Sequence, residues 1–429
     1  MFALLIKSVN PGYPVGPPDD HAIMAETETR LEAALLDPRD DVATALVDLP
    51  AGRALTLAVN GQRYDVITAE PIPAGHKLAV RALGADRRIR KYGEFIGRMT
   101  SAAAAGAWVH SHNLATSAVR SLADERAWRA QAGPACVRPI AERVRCRAGV
   151  APLFDAGLGR LHWIDTGVPA LYSLDITHGS TVRTALPSPA HAAVLMHDGA
   201  VLIAVDGAFM RVDTGWKVSP TAARAALPPP LQWTGLQCDR RGRVWGIAAV
   251  PGSREADGTV CVFDPRTIRT EVRGLLSPAG LAWNAGGAKL LVAESGRAAI
   301  MCCDVDHETG AVGAPRPFAD LGTMPGELGG MTTDADDHVW IALPGASCLV
   351  RLSPAGTLER VVRLPVSRPT DCAFGGDGHA RLYVTTAAAR LPDPGGWAEE
   401  AWAGQVLELD VGAAGRPPHR ATDLAAAVP

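Results

Sequence analysis

GRVWGIA at residues 242–248 and DHVWIAL at residues 337–343 show the sequence pattern from which the fold can be predicted. In each, a turn residue leads into a short run of apolar and β-branched residues, which is typical of a buried strand. The pattern occurs six times, with these first strand residues: Leu161, Val201, Val244, Leu290, Val339 and Leu382. Their successive separations of 40, 43, 46, 49 and 43 residues indicate a structural repeat.

A period of this length is typical of four-stranded propeller blades, which run to roughly 40–50 residues. One such sheet leaves both faces exposed, whereas six sheets stacked around an axis bury them in a continuous core. The 44 Gly and 33 Pro residues fit many short strands joined by tight turns. We therefore predict a mainly β protein with a six-bladed β-propeller at residues 146–429. A β-sandwich with accidental spacing is the alternative that the period leaves open.

The composition narrows the class of protein. With 429 residues, 47% hydrophobic and 20% charged, the chain can build more than one core of ordinary domain size. Its 42 Lys and Arg against 45 Asp and Glu argue against a nucleic-acid partner bound through counterion release. No stretch reaches the roughly 20 apolar residues that span a bilayer, and the eight Cys form no Cys-x-x-Cys pair. We expect a cytoplasmic protein with free thiols, bound neither to nucleic acid nor to a membrane.

Ahead of the repeat, the sequence divides into three segments. The strand-like runs ALTLAV (54–59) and YDVITA (64–69) suit a compact β domain. The stretch SAVRSLADERAWRAQA (117–132) has near-helical apolar spacing and stops at Gly133 and Pro134. We predict an extended lead-in at 1–28, a β domain at 29–116 and a helical linker at 117–145.

The β domain contains two histidines at i and i+2, in GAWVHSHN at 106–113. Alternate residues of a strand share one face, so His110 and His112 would point the same way and could jointly hold a metal or a carboxylate. Asn113 adds an amide beside them. The alternative for such a pair is the hydrogen-bonded rim of a strand.

Four stretches of this domain together resemble one family: DDVATALVDLPAG (40–52), PIPAGHKLAV (71–80), KYGEFIG (91–97) and GAWVHSHN. They are similar to the small SAF-type β-clip domain of the altronate and galactarate dehydratases. In that family the small domain pairs with a large catalytic domain, which removes water from a sugar acid. Nothing after residue 116 looks like the large domain. The resemblance therefore implies a separate large dehydratase subunit as a possible partner.

The dehydratase resemblance also implies a ligand site. The matching positions that we expect to bind a sugar acid are His76, Lys91, Tyr92, Glu94 and Asn113. Lys91 would supply a cation for the carboxylate, and His110 and His112 are the candidate ligands of a divalent metal in this domain. A β-clip kept for folding or subunit contact is the alternative.

Residues 146 to 426 resemble a second family, the gluconolactonases and senescence marker proteins, which are six-bladed propellers. The matching stretches are GVAPLFDAGLGRLHWID (149–165), CDRRGRVWGIA (238–248), SPAGLAWNAGGAKLLVAES (277–295), LGGMTTDADDHVWIA (328–342) and RPTDCAFGGDGHARLYVTTA (368–387). Lactone-hydrolysing members of this family hold a divalent cation in the central channel. Its ligands are one Glu, two Asn and one Asp, which are oxygen ligands suited to a hard ion.

The resemblance places those four ligand positions on Val150, Thr234, Ala279 and Gly329, none of which keeps the ligand type. Only Thr234 offers a side-chain oxygen. We therefore expect no metal in the propeller channel. Glu327 is a possible substitute ligand if its loop has been rebuilt.

Together the two resemblances imply a protein of sugar-acid metabolism that binds a sugar acid or lactone. The lost ligands favour a non-catalytic or partner-dependent module. The alternative is an active lactone hydrolase, or a sugar-acid dehydratase component, with a rebuilt site. Sequence alone leaves open whether the protein is an enzyme.

Overall fold

The computed structural model describes residues 32–422 except 60, 92–93, 117–135, 142, 206–207, 222–226, 254, 265–266, 389 and 394–395. The predicted lead-in at 1–28 and residues 117–135 of the predicted linker lie outside the described residues. Regular structure in the described part is almost entirely β-strand, with one 3₁₀ turn at Asp377–His379, which confirms a mainly β fold. No helix among these residues is long and apolar enough to cross a membrane.

The N-terminal domain, here called the N-domain, spans residues 32–116 and contains nine described strands. Strands β1, β2, β5 and β8 form one sheet, β6, β7 and β9 form a second, and β3 and β4 form a hairpin. Alternate residues of the hairpin are buried, such as Leu55 and Leu57 of β3, because successive side chains of a strand point to opposite faces. The strand bounds are β1 Ala33–Ala34, β2 Val42–Ala45, β3 Ala54–Val59, β4 Gln62–Ile67, β5 Lys77–Ala79, β6 Arg88–Lys91, β7 Glu94–Met99, β8 Trp108–Val109 and β9 Leu114–Thr116.

The second half of the chain is a β-propeller whose described residues form six four-stranded antiparallel sheets. The first three sheets contain β11 Gly149–Asp155, β12 Arg160–Asp165, β13 Ala170–Asp175, β14 Thr181–Ala185; β15 Ala190–Leu195, β16 Val201–Val205, β17 Ala208–Val212, β18 Val218–Pro220; and β19 Gln232–Cys238, β20 Val244–Ala249, β21 Gly258–Asp264, β22 Thr267–Leu275. The next two contain β23 Pro278–Trp283, β24 Lys289–Glu294, β25 Ala299–Asp304, β26 Arg316–Asp320; and β27 Met331–Thr333, β28 Val339–Leu343, β29 Cys348–Leu352, β30 Leu358–Arg363.

The last sheet closes the ring with strands from both ends of the propeller. Its order is β10-β35-β32-β31, with these bounds: β10 Cys136–Pro139, β31 Pro369–Gly375, β32 Arg381–Thr386 and β35 Leu407–Asp410. A hairpin, β33 Arg390–Asp393 and β34 Gly396–Glu399, is inserted before β35. Because β10 pairs with β35, residues 136–139 are a propeller strand. The prediction of a helical linker up to residue 145 was therefore wrong for residues 136–139, which form a strand.

The repeat quoted from the sequence marks the second strand of every sheet. These strands are buried along nearly their whole length, because neighbouring sheets cover both of their faces. Trp245 and Trp340 are fully buried there. The carboxylate of Asp239 accepts the indole N–H of Trp245 at 2.8 Å, and that of Asp334 accepts the indole N–H of Trp340 at 3.0 Å. The turn aspartates thus lock the buried strands in place.

Candidate functional site

Register shifts near the start of the innermost strands shape the central channel. They occur in β11, β15, β19, β23 and β31. An extra residue in one strand bends it and re-aims the side chains beside it. At matching positions at or just before the start of the innermost strands, one channel-lining residue per sheet forms a set that we call the channel ring: Ala151, His191, Thr234, Ala279, Gly330 and Asp371.

The channel ring surrounds a cavity of about 510 Å³. Toward the ends of the innermost strands, the cavity is lined by Arg240, Asn284, Arg416 and His419. Pockets of this size hold a small molecule with a few polar groups to orient it. The channel is therefore a candidate binding site.

Two of the four predicted ligand positions lie on the channel ring, and two do not. Thr234 and Ala279 line the cavity. Val150 packs instead against the core between the first two sheets, because the register shift after Val150 brings Ala151 to the channel. Gly329 lies one residue before the channel-lining Gly330.

The glycines leave no space for an acidic side chain in this backbone. A Cβ at Gly329 would lie 2.4 Å from the carbonyl oxygen of Thr370, and a Cβ at Gly330 would lie 1.7 Å from Oδ1 of Asp371. Thr234 has its hydroxyl 3.2 Å from the carbonyl oxygen of Pro278, so it bridges two neighbouring sheets. The channel ring thus contains a single carboxylate, that of Asp371.

Asp371 is held between two backbone amides in the channel wall. The N–H of Cys372 donates to Oδ1 at 2.7 Å, and the N–H of Ala151 donates to Oδ2 at 3.2 Å. Ala151 has a φ of 52°, which is strained for a residue with a Cβ. Burial raises the pKa of Asp371 to about 7. Asp371 is not among the residues predicted from the sequence, since its place in the channel depends on closure of the ring.

The N-domain covers the mouth of the propeller at which the innermost strands begin. Arg88 of β6 donates to the carbonyl oxygens of Gly326 at 3.0 Å and Met324 at 3.4 Å. Arg98 of β7 donates to the carbonyl oxygen of Arg297 at 2.9 Å. The β6–β7 hairpin is therefore docked on the fourth and fifth sheets by arginine side chains.

Between the two domains lies a second cavity, of about 430 Å³. Thr234 and Ala279 line both this cavity and the channel, so the two spaces meet at the channel ring. We call the N-domain side of the cavity the arginine wall: Arg39, Arg87, Arg88 and Arg90.

A buried carboxylate holds the arginine wall in position. Oδ2 of Asp41 accepts the backbone N–H of Arg90 at 3.0 Å, and Oδ1 accepts Nη2 of Arg87 at 3.3 Å. Burial, together with the charges of nearby Arg90 and Arg98, lowers the pKa of Arg88 to about 10. Arg88 still carries its charge at neutral pH.

Glu327 faces the interdomain cavity and forms an ion pair with Arg90. Its backbone N–H donates to the carbonyl oxygen of Pro344 at 2.8 Å. In the sequence analysis, Glu327 was named as a possible substitute metal ligand in the propeller channel. In the structure its carboxylate is engaged by the N-domain at the mouth of the propeller.

The predicted histidine pair lies in a turn rather than on a strand. Strand β8 ends at Val109, so the expectation that His110 and His112 share a strand face was wrong. Their ring centroids are nevertheless 6.4 Å apart, and the ring of His76 lies 5.0 Å from that of His110. Within the described residues, no group of three or more His, Cys, Asp and Glu side chains is arranged to hold a metal ion. A metal held by His110 and His112 stays a prediction.

The side chain of Asn113 forms hydrogen bonds within the same turn. Its Oδ1 accepts the backbone N–H of His110 at 2.9 Å, and its Nδ2 donates to the carbonyl oxygen of Trp108 at 2.9 Å. Both ends of its amide thus stabilise the turn.

The remaining predicted N-domain residues lie in two places. Lys91 at the end of β6 is paired in register with Glu94 at the start of β7, while Tyr92 lies outside the described residues. Neither Lys91 nor the cluster of His76, His110 and His112 lines the interdomain cavity, and their role in binding a sugar acid stays a prediction. Three of the four wall arginines lie just before Lys91, in the arginine-rich run RRIRK at 87–91. That run was the signal available in the sequence.

Comparison with known proteins identifies both halves of the chain. Residues 148–388 match the model of the SMP-30/gluconolactonase/LRE-like region. The chain belongs to the SMP-30/gluconolactonase/LRE-like family. Residues 32–117 match the altronate/galactarate dehydratase SAF domain. Both resemblances drawn from the sequence are confirmed, and both connect this family member to sugar-acid metabolism.

Curated relatives cover the propeller half of this SMP-30/gluconolactonase family member. A pentonolactonase of Haloferax volcanii is 29% identical over 280 residues, which cover 64% of this chain and 94% of the relative. Regucalcin of Homo sapiens is 22% identical over 284 residues, which cover 64% of this chain and 93% of the relative.

Solved structures of the family share the propeller fold. A regucalcin from Agrobacterium tumefaciens has a TM-score of 0.62 at 22% identity, covering 68% of this chain and 98% of its own. A luciferin-regenerating enzyme has a TM-score of 0.61 at 19% identity, covering 67% of this chain and 100% of its own. These likenesses show the fold alone.

Proposed function

We propose that this protein binds a sugar acid or its lactone in the propeller channel without metal-dependent lactone hydrolysis. The observation that carries the proposal is the chemistry of the channel ring. A hard divalent cation needs several oxygen ligands with negative charge. The ring offers one carboxylate, one imidazole and a bridging hydroxyl among its six residues. These residues do not fit the metal of the family.

The environment of Asp371 also supports the proposal. A metal ligand is a deprotonated carboxylate. Burial raises the pKa of Asp371 to about 7, which favours its protonated form below that pH. Its two oxygens are already engaged by backbone amides.

The substrate class comes from the relatives. The names pentonolactonase and putative sugar lactone lactonase belong to proteins similar to the propeller half, and the N-domain matches a domain of sugar-acid dehydratases. We extend to this chain the part that these have in common, a polyhydroxylated acid or its lactone.

The decisive experiment measures hydrolysis of a panel of aldono- and aldarolactones by the purified full-length protein. Calcium, zinc or manganese is added in one arm and a chelator in the other. We expect no turnover above the buffer rate in either arm, together with calorimetric binding of an aldonate. Turnover that needs a metal and disappears with the chelator would refute the proposal.

A second candidate function is metal-independent lactone hydrolysis, favoured by Asp371 in the channel wall. A carboxylate with a pKa near 7 is suited to act as a general base that takes a proton from water attacking the lactone carbonyl. Turnover would then resist the chelator, rise with pH through an apparent pKa near 7, and be lost in Asp371→Asn. Chelator-resistant turnover that Asp371→Asn retains would exclude this candidate.

We further propose a large dehydratase subunit as a protein partner and a cytoplasmic location. The match of the N-domain to a domain that pairs with such a subunit supports the partner. Eight cysteines, all free in the structure, support a reducing compartment. Co-purification of the full-length protein from its own cells tests the partner. Recovery of the protein alone under mild conditions would count against it.

A further inference from the structure

The geometry points to a composite carboxylate-binding site, built by both domains, in which Arg90 and its neighbours hold the acid group of the ligand at the channel mouth. The inference rests on the proposed function and names the residues that would recognise the acid. The N-domain would then supply the charge, and the propeller channel would receive the polyhydroxyl chain.

The first support is where the arginines lie. Four arginines line the N-domain side of the 430 Å³ cavity, while Thr234 and Ala279 on the opposite side continue into the channel. A ligand that filled both spaces would place one end against guanidinium groups and the other among the channel ring. Guanidinium is the group that matches a carboxylate with two parallel hydrogen bonds.

The second support is the mutual repulsion of arginines at the wall. Two of them have carboxylate partners, since Arg39 pairs with Asp37 at 2.8 Å and Arg87 pairs with Asp41 at 3.3 Å. Besides burial, the neighbouring charges of Arg90 and Arg98 lower the pKa of Arg88. A carboxylate that enters the cavity would reduce this repulsion.

The third support is the pairing of Arg90 with Glu327 across the domain boundary. The side chain of Glu327 is 38% exposed, whereas that of Arg90 is 13% exposed. A ligand carboxylate arriving in the cavity can therefore take the place of the more exposed Glu327 beside the buried arginine. Glu327 would act as a competitor of the ligand.

This competition gives a test in which two substitutions have opposite effects. Isothermal titration calorimetry on the full-length protein would use gluconate, galactarate and the neutral polyol galactitol as probes. We expect Arg90→Gln to weaken gluconate binding at least tenfold and Arg90→Lys to weaken it less. Glu327→Gln should strengthen gluconate binding severalfold, because the competing carboxylate is removed. Galactitol should bind weakly to every variant.

Arg98→Gln is the matched control, since Arg98 lies in the same hairpin and bonds the propeller without lining the cavity. We expect its gluconate affinity to stay within twofold of the wild-type value. Thermal denaturation of each variant checks that it is folded, and Glu327→Gln, at an exposed position, keeps the test available if Arg90→Gln fails to fold.

The outcomes separate the two proposals. Wild-type protein that binds no sugar acid at all would refute the proposed function, and the composite site with it. Wild-type protein that binds gluconate while Arg90→Gln and Glu327→Gln change the affinity in the same direction, or by less than twofold, would overturn only the composite site. An equal loss in Arg98→Gln would also overturn it, because domain docking would then explain the effect.

Discussion

The channel ring and the arginine wall line two cavities that meet at Thr234 and Ala279, and they differ in the charge that they present. The ring has a single carboxylate, whose pKa is raised by burial to about 7. The wall has four arginines, held by the buried carboxylate of Asp41. In lactone-hydrolysing members of the family that the propeller resembles, acidic ligands in the propeller channel hold a cation. In this chain, fixed positive charge on a second domain faces the mouth of the channel.

We infer from this contrast that a binding site on a propeller can change its charge while the fold is kept. The strands that build the ring depend on apolar burial and turn chemistry, so ring residues are free to vary. A domain docked on the mouth then adds new groups to the site, since function belongs to sites carried by folds. Four predictions test this contrast, beginning with the largest effect.

Restoring the acidic ligand at Gly329 should destabilise the propeller strongly. In Gly329→Asp the new Cβ would meet the carbonyl oxygen of Thr370 at 2.4 Å, and this is backbone that cannot rotate away. Overpacking of this kind costs about 3 kcal/mol of the free energy of unfolding, measurable by urea denaturation.

Two controls accompany Gly329→Asp. Ala279→Asn restores another ligand type at a position that lines open space, and Gly84→Ala adds a Cβ where nothing lies within 4 Å. Both should change stability by less than about 1 kcal/mol. A Gly329→Asp protein as stable as these controls would mean that the ring can accept its acidic ligand after all.

Ionisation of the Asp371 carboxyl group should make the protein less stable as the pH rises from 4 to 7. Its pKa lies near 7 in the folded protein and near 3.8 in the unfolded chain, so the folded state binds more protons between these values. Stability therefore falls by about 3 kcal/mol across this interval and levels off above pH 7. Asp371→Asn should remove this slope.

The measurement for Asp371 is the free energy of unfolding at a series of pH values, compared between wild type and Asp371→Asn. The comparison uses the slope because the amide also changes the hydrogen bonds to Ala151 and Cys372. Parallel curves for the two proteins would show that the carboxyl is ionised in the channel, and the ring would then keep its negative charge.

The titration of His162 should have the opposite effect on stability, which it lowers at acidic pH. Burial lowers its pKa from 6.5 to about 4, so the unfolded chain binds a proton that the folded propeller excludes. Stability is little affected well above pH 6.5 and has fallen by about 2 kcal/mol when the pH reaches 5. Thermal denaturation of His162→Leu should show a smaller acid loss, whereas His178→Gln, at an exposed position, should match the wild type.

The smallest effect should come from the histidines of the N-domain. Because His110 and His112 do not line the interdomain cavity, the double variant His110→Ala, His112→Ala should bind gluconate within twofold of the wild type. Calorimetry beside Arg90→Gln makes the comparison direct. A tenfold loss in the histidine variant would move the acid site from the arginine wall to the histidine cluster.

The sequence predicted the fold well because the signals are local. The six first strand residues of the repeat all lie in second strands, such as Val244 in β20 and Val339 in β28. Burial of a strand on both faces leaves a continuous apolar run, and turn residues mark its start. The residue of β11 that reaches the channel could not be read from the sequence, since the register shift in β11 brings Ala151 rather than Val150 to it.

The amino-acid sequence alone was enough to predict the β-propeller, the small β domain and the link to sugar-acid metabolism. The three-dimensional structure was needed to show that β10 pairs with β35, that Asp371 lies in the channel wall, and that Arg90 pairs with Glu327. The two groups of findings differ in distance along the chain. Periodicity and turn chemistry act over a few residues, whereas Arg90 and Glu327 are 237 residues apart and meet only after both domains have folded and docked.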